Sequence, residues 1–300
     1  MRIVHVDTGR ELRGGQRQVL LLLQGLRTAG EESTLLARAG SPLFQAASEA
    51  GFPVHSAGLQ SLRQHSRTAD LIHAHDARAH TQAAIAARVP FVVSRRVAFP
   101  LKRGLLSQWK YRQAKRYLAV SQFVAAELAR CGIAKDKIDV VYDGVETNIH
   151  TEWCAQHPAV ALASRDPAKG RDLVEEAARI SGIPVSYSDD LPTHLVTASM
   201  FIYITRSEGL GSAALLAMAM GVPVIASNVG GLPEVLGHGD AGLLTPNDAS
   251  KIAAAMQLLR DDSALAQTLI EQGKIRVAEH FTAQRMVDNT LASYRRALAL

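Results

Sequence analysis

The sequence predicts an α/β protein made of two doubly wound parallel sheets with helices on both faces. Three observations carry that expectation. Short aliphatic runs alternate with segments of helical periodicity along the whole chain, the signature of βα repeats and so of parallel strands. The length, 300 residues, matches two domains of roughly 150 residues each. Several runs end in glycine-bearing turns, and sheets of this kind bind ligands beyond the carboxyl ends of their strands.

In the first half, strands are expected at Ile3–Val6, Ser33–Ala37, Leu71–Ala74, Phe91–Val93, Tyr117–Val120 and Ile138–Val141. Helices are expected over 16–29, 42–50, 77–87, 105–115 and 122–131. Gly30 suits the residue that closes the first helix. Ser121 suits the cap of the helix that begins at Gln122. In the second half, strands are expected at Val160–Ala163, Val185–Tyr187, Met200–Ile204, Val222–Ala226 and Gly242–Leu244. The helices there are expected over 170–180, 192–198, 210–220, 232–236, 248–260, 263–279 and 283–298. Pro167, Pro184, Pro192, Pro223, Pro233 and Pro246 fall at element ends, where a missing N–H breaks no ladder. Asp143-Gly144-Val145-Glu146 is a turn signal and places the boundary near Val145–His150. The domains are therefore expected over 1–147 and 148–300, with helix 283–298 a candidate to pack back on the first.

The composition is that of a soluble globular protein: 47% apolar and 20% charged. Two cysteines, Cys131 and Cys154, cannot build a disulfide framework and are too few for a structural zinc site without histidines. That pattern fits a reducing cytosol. The N-terminus runs straight into a strand with no secretory signal. The apolar run Val19–Leu23 is far below the ~20 residues that span a bilayer, so a soluble or peripheral protein is expected. The net charge of +5 is concentrated in Arg95, Arg96, Lys102, Arg103, Lys110, Arg112, Lys115 and Arg116, with Trp109 and Tyr111 between them. A solvated helix face and a surface for an anionic partner both explain such a run. Nucleic acid is the partner least supported, because charge alone speaks for it.

The most informative stretch is Arg206-Ser-Glu-Gly-Leu-Gly-Ser-Ala-Ala-Leu-Leu-Ala-Met-Ala-Met-Gly-Val-Pro-Val-Ile-Ala-Ser227. It reads as a glycine-rich turn, a helix and a buried strand. A helix start offers N–H groups and partial positive charge to a phosphate, and Glu208 stands beside it. Arg165 and Lys169 follow the strand that opens the second domain and could neutralise a diphosphate, arginine being the better bidentate partner. Gly230-Gly231-Leu-Pro-Glu234 forms a second glycine loop. Gly14 and Gly15 could present N–H groups to a phosphate, although the pair alone favours an ordinary turn, and no Gly-x-Gly-x-x-Gly fingerprint is present. His73 and His75 share one face of a strand because side chains alternate. A histidine that touches substrate and a satisfied core histidine both remain open there. A metal would need a third ligand, none follows at clear spacing, no Asp-x-Asp occurs, and no metal is expected.

Together these pieces resemble the retaining glycosyltransferases of family 4, which have the GT-B fold of two Rossmann-like domains facing a cleft. The resemblance rests on Arg13-Gly-Gly-Gln16, Asp70-Leu-Ile-His-Ala-His75, Val141-Tyr-Asp-Gly-Val-Glu146, Lys169-Gly170 and Ser207-Glu-Gly-Leu-Gly211. Ala219-Met-Gly-Val-Pro-Val-Ile-Ala226, Gly230-Gly-Leu-Pro-Glu234 and Gly242-Leu-Leu244 complete it. It implies transfer of a sugar from a nucleoside diphosphate sugar, UDP-linked, with no cofactor and no metal. Glu208, Arg165, Lys169 and His75 would be catalytic. Gly14, Gly15, Gly209, Leu210, Gly211, Leu216, Gly230, Gly231 and Glu234 would line the donor site. Arg13, Asp76, Arg95 and Arg96 would face the acceptor.

The chain departs from the family in three places. A second glutamate, which binds the donor ribose, is expected eight residues after Glu208, and Leu216 stands there. Lost hydrogen bonds to a charged group are worth roughly 1.5–3 kcal/mol, about ten- to a hundredfold in donor affinity. The second domain is short between the helix ending near Ile180 and the strand at Val185. Arg95-Arg96 replaces a histidine-bearing stretch and points to an acidic or phosphorylated acceptor. The expectation is thus a transferase acting on a cell-envelope glycolipid or glycan, such as lipopolysaccharide core, in the cytoplasm and peripheral to the inner membrane. A degenerate non-catalytic binder and a nucleotide-sugar epimerase of the same fold are the alternatives.

Overall fold

The computed structural model describes residues 1–97, 104–147 and 151–299. The chain forms two compact units, Met1–Gly144 with Ala283–Leu300, and Val145–Thr282.

The first unit runs β1 (Arg2–Asp7), α1 (Gly14–Thr28), β2 (Glu32–Ala37), α2 (Pro42–Glu49), β3 (Val54–Ser56), α3 (Leu59–His65), β4 (Leu71–Ala74), α4 (Ala77–Ala86), β5 (Phe91–Arg95), α5 (Leu105–Gln113), β6 (Arg116–Ala119), α6 (Gln122–Arg130) and β7 (Ile138–Val140). Its sheet is parallel throughout, in the order β3-β2-β1-β4-β5-β6-β7. Periodicity did not reveal β3 and α3. β3 is a three-residue edge strand, Val-His-Ser, and α3 buries a single residue, Leu62. Ser121 caps α6 by accepting the Val124 N–H at 3.0 Å, and Gly30 takes φ +80° just beyond α1, as their residue types predict.

The second unit runs β8 (Ala159–Leu162), α7 (Arg171–Ser181), β9 (Val185–Ser188), α8 (Leu191–Leu195), β10 (Met200–Tyr203), α9 (Ser212–Met220), β11 (Val224–Ser227), α10 (Leu232–Val235), β12 (Leu243–Thr245), α11 (Ala249–Asp261) and α12 (Ser263–His280). Its parallel sheet has the order β12-β11-β10-β8-β9. Ile202, Ile225, Ile252, Met256 and Leu269 are among its buried core.

The chain then returns to the first unit as α13 (Ala283–Leu298). Met286, Val287, Leu291 and Tyr294 of α13 complete a core with Ile3, Leu22, Leu26, Leu71, Val92 and Leu118. Gly25 makes this docking possible: a Cβ there would lie 2.3 Å from Val287 Cγ2. Asp139 fastens the helix by accepting hydrogen bonds from Arg116 and from Ser293 at 2.7 Å and by an ion pair with Arg296 at 2.9 Å. Burial works against the Asp139 charge, but the bonds from Arg116 and Ser293 and the charge of Arg296 hold its carboxyl below the usual range.

Candidate active site

In the second unit the loop after β10 is fastened to its neighbours before it reaches Glu208. Thr205 N–H donates to Ser227 Oγ at 2.9 Å, Ser227 Oγ donates to Asn247 Oδ1 at 2.6 Å, and Asn247 Nδ2 donates to the Thr205 carbonyl at 3.0 Å. Arg206 N–H donates to the Ala168 carbonyl at 2.8 Å, which ties this loop to the one carrying Lys169. Gly230, at φ +60°, lies so close to this loop that a Cβ would sit 1.9 Å from the Glu208 carbonyl oxygen. Gly231 donates its N–H to that same oxygen at 3.3 Å. The second glycine loop therefore supports the backbone of Glu208.

The Glu208 carboxylate is held from three sides. Lys169 Nζ donates to Oε2 at 3.0 Å, the Tyr203 hydroxyl donates to the same oxygen, and Gly209 N–H donates to Oε1 at 3.0 Å. Lys169 also lies 5.7 Å from the Tyr203 ring centroid. The pair is only partly covered, with 30% of the Lys169 side chain and 18% of the Glu208 side chain exposed, so a ligand has access to both charges. Tyr203 was not singled out in the sequence. Its signal was a tyrosine ending a buried strand, where a hydroxyl needs a partner. Leu210 and Gly211 are buried, Gly211 at φ +113°. Leu216 is half-buried one turn into α9, and Glu234 lies half-buried in α10 with its carbonyl accepting from Arg276 Nε at 3.1 Å.

Arg165 is not brought to this pair. It is exposed and lines an open depression of about 540 Å³ with Arg171, Asp172 and Glu175. Among the described residues its guanidinium has no hydrogen bond or ion pair, so it remains available to an anion.

In the first unit the corresponding strand ends belong to β1 and β4, neighbours at the point where strand order reverses. Polar groups there satisfy one another. Asp76 Oδ1 caps α4, accepting from Arg78 N–H at 2.8 Å and Ala79 N–H at 2.9 Å, and the carboxylate also binds the Thr8 hydroxyl at 3.0 Å. Asp7 Oδ1 accepts Gly9 N–H at 2.8 Å, and Gln16 Nε2 reaches the carboxylate at 3.2 Å, tying the start of α1 to β1. Burial pushes the Asp7 carboxyl above its usual range, and nearby Asp76 adds to this. Gly14 begins α1, and Arg13 beside it is exposed and paired with Glu11 at 2.6 Å. Gly15 lies against Arg96: its Cβ would be 3.6 Å from Arg96 Cδ. Arg96 pairs with Asp143 at 3.1 Å and borders an internal cavity of about 10 Å³ shared with His73, Ser94 and Thr290. Its Nη1 is buried without a hydrogen-bond partner among the described residues. Such a cavity holds about one water. Arg96 is thus built into the interior, whereas Arg95 is half-buried at the end of β5.

His73 and His75 do share a face, and the sheet adds the third imidazole that sequence spacing did not show. His5 stands beside His73 in the β1–β4 register, and nitrogens of the three histidines lie within 4.8 Å of one another. The rings nevertheless form a hydrogen-bonded stack. His73 uses Nδ1 on Tyr294 Oη at 2.6 Å and Nε2 on Ser94 Oγ at 2.7 Å, and its ring lies 3.9 Å from that of His75. His5 Nδ1 and His75 Nε2 are 3.0 Å apart. A metal would have to displace a His73 partner. Burial holds all three imidazoles neutral, with His5 lowered to about 3 and His73 and His75 well below the usual histidine range. His75 is 6% exposed, and its Nδ1 has no partner among the described residues.

The basic run divides in the same way. Arg116 is committed to Asp139, and Tyr111 packs against Tyr117 and His80. Leu106 and Trp109 of α5 are exposed, 84% and 47%, beside exposed Arg112 and Lys115. Lys102 and Arg103 lie outside the described residues. Among the described residues no helix is long and apolar enough to cross a membrane.

Two family models match this chain in succession. Glycosyltransferase Family 4 matches residues 12–149, and Glycosyl transferases group 1 matches residues 133–262. The chain is of the family 4 glycosyltransferase type. Its curated relatives include an O-antigen chain mannosyltransferase B of Escherichia coli, 40% identical over 36% of this chain and 28% of the relative. Another is an MMP α-(1→4)-mannosyltransferase of Mycolicibacterium hassiacum, 29% identical over 63% of this chain and 56% of the relative. The chain thus spans between about a quarter and somewhat over half the length of these curated relatives. Among solved structures, Anabaena HepE in complex with UDP and glucose superposes with a TM-score of 0.85 at 17% identity, covering 97% of this chain and 98% of that one. The lipopolysaccharide outer core galactosyltransferase WaaB gives 0.73 at 15%, covering 98% and 99%. At such identity the likeness shows the fold, and the fold of this chain is GT-B.

Proposed function

We propose that this protein transfers a sugar from a UDP-linked donor to a cell-envelope glycolipid or glycan, with retention at the anomeric carbon and without a metal. The observation that carries the reading is the half-exposed Lys169–Glu208 pair at the start of α9. Lys169 and the unpaired Arg165 supply positive charge for a departing diphosphate, stabilisation that needs no reorganisation at the moment of reaction. Glu208 accepts hydrogen bonds from hydroxyls of the donor sugar in this reading. The α9 start adds the partial positive charge of a helix terminus. UDP and UDP-glucose are present in the HepE structures, which supports the nucleotide. The E. coli relative and WaaB, by their names, act on O-antigen and lipopolysaccharide outer core, which supports the acceptor class. Exposed Leu106 and Trp109 beside basic side chains suit an anionic lipid surface on the cytoplasmic face.

The test is a panel of UDP-glucose, UDP-galactose, UDP-N-acetylglucosamine and GDP-mannose, with release of the nucleotide followed with and without a chelator. Turnover of a UDP-sugar in chelator is expected, and absence of turnover and of binding across the panel sinks the reading. Leu216 motivates one rival, a non-catalytic binder. Calorimetry separates the two: a transferase binds UDP, and a degenerate member that has lost the donor site does not.

A further inference from the structure

We infer that Tyr203 is a positioning residue that keeps Glu208 in place when Lys169 is drawn toward the donor diphosphate. The inference rests on the donor-site reading above and extends it to a residue with no assigned role.

Two donors meet on one oxygen. Glu208 Oε2 accepts both from Lys169 Nζ, at 3.0 Å, and from the Tyr203 hydroxyl. The two donors differ in freedom. Lys169 is a flexible side chain, 30% exposed, and an ammonium is free to move to a stronger anion. Tyr203 ends β10, is 5% exposed, and its ring lies beneath the start of α9, with Cε1 3.3 Å from where a Cβ on Gly211 would be. A ring buried in that way gives its hydroxyl less freedom than a half-exposed lysine has. Oε1 has the Gly209 N–H at 3.0 Å, which alone leaves the carboxylate free to pivot.

A diphosphate carries more charge than one carboxylate, so it competes for Lys169. If Lys169 leaves, Oε2 keeps one donor, Tyr203, and the carboxylate stays aimed at the sugar. The buried hydroxyl remains protonated throughout, since burial and the adjacent Glu208 charge push its pKa well above the usual tyrosine value. Its role is to hold geometry and involves no proton transfer.

The first experiment measures UDP and UDP-glucose affinity by calorimetry, and transfer or hydrolysis rate, in the parent, Tyr203→Phe, Glu208→Gln and the double variant. Tyr203→Phe should bind UDP within about twofold of the parent and lose about tenfold in UDP-glucose affinity or kcat, the scale of one hydrogen bond to a charged group. In the Glu208→Gln background the same change should cost nothing further. Equal losses for UDP and UDP-glucose, or a full tenfold loss on top of Glu208→Gln, would mean a merely structural tyrosine and overturn the proposal. The second experiment needs no nucleotide: crystal structures of Lys169→Met and of Lys169→Met/Tyr203→Phe. Glu208 should keep its rotamer in the first and leave it in the second. If it stays in the double variant, Tyr203 does not position it. If it moves while the parent binds no nucleotide, the positioning stands and the donor reading falls.

Discussion

The strand ends of the two units use polar residues in opposite ways. In the first unit His5, His73, His75, Asp7 and Asp76 are buried or capped, and they bind one another, neighbouring side chains and the backbone. In the second unit Lys169, Glu208 and Arg165 lie within reach of solvent. A buried neutral imidazole with both nitrogens bonded organises a sheet. A half-exposed ion pair still has interactions to exchange with a ligand. The difference teaches that a conspicuous His-x-His can be core, while a plain lysine and glutamate 39 positions apart form the pair that a ligand can reach.

Four measurements would break or sharpen that contrast. The largest expected effect is on Glu208→Gln, which should cut transfer by roughly a hundred- to a thousandfold, the range for removing one preorganised group, with the urea midpoint nearly unchanged. A variant that retains most of its rate would place the chemistry elsewhere. His73→Ala should do the reverse. It opens a cavity and strands the Tyr294 and Ser94 hydroxyls, so urea unfolding should show a loss of about 3 kcal/mol, while kcat of the folded fraction stays close to the parent value. Next comes Leu216→Glu, which supplies a carboxylate where the ribose is expected. A gain of about tenfold in UDP affinity would show that donor strength is limited at this position, and an unchanged affinity would show that the ribose lies elsewhere.

The smallest effect is a slope. His5 and His80 are each lowered to about 3 in the folded protein, His5 by burial and His80 by burial together with the nearby Lys110 charge. The unfolded chain takes up their protons near pH 6.5, so unfolding binds protons below that value. The stability these groups contribute is present above pH 6.5 and is lost progressively as pH falls toward about 3, by at most about 1.4 kcal/mol per pH unit for each group. Urea titrations of the parent and of His80→Gln between pH 7 and 4 should show a shallower pH dependence in the variant. Parallel curves would mean that His80 is protonated in the fold.

Much of this was legible because βα repeats announce themselves twice, by apolar runs and by the caps between them. The strands from Ile3 to Leu244 and the helix over 283–298 fall within a few residues of their expected places. β3 was hidden because an edge strand of three residues carries no period. The grouping of Lys169 with Glu208 was legible through the family motif. Tyr203 was not, because its contribution is the direction of one hydroxyl, which depends on the packing beneath Gly211. His5 escaped notice because its neighbours His73 and His75 meet it only through strand register, 70 residues away from His75. Arg96 reads in the sequence as an acceptor-facing cation of the basic run, and only its pairing with Asp143 shows that it faces inward.

The docking of α13 has a consequence for the order in which the protein is made. The second unit starts and finishes at one place: Val145 N–H donates to the Phe281 carbonyl at 2.8 Å, and Val145 bridges to Thr282. Residues 145–282 are therefore a closed insert whose contacts are all available once Thr282 has left the ribosome. The first unit is synthesised earlier but finishes later, since Ile3, Leu22 and Leu71 lack their cover until Val287, Leu291 and Tyr294 arrive. Translation thus leaves the older half waiting with an open apolar face until the younger half is complete.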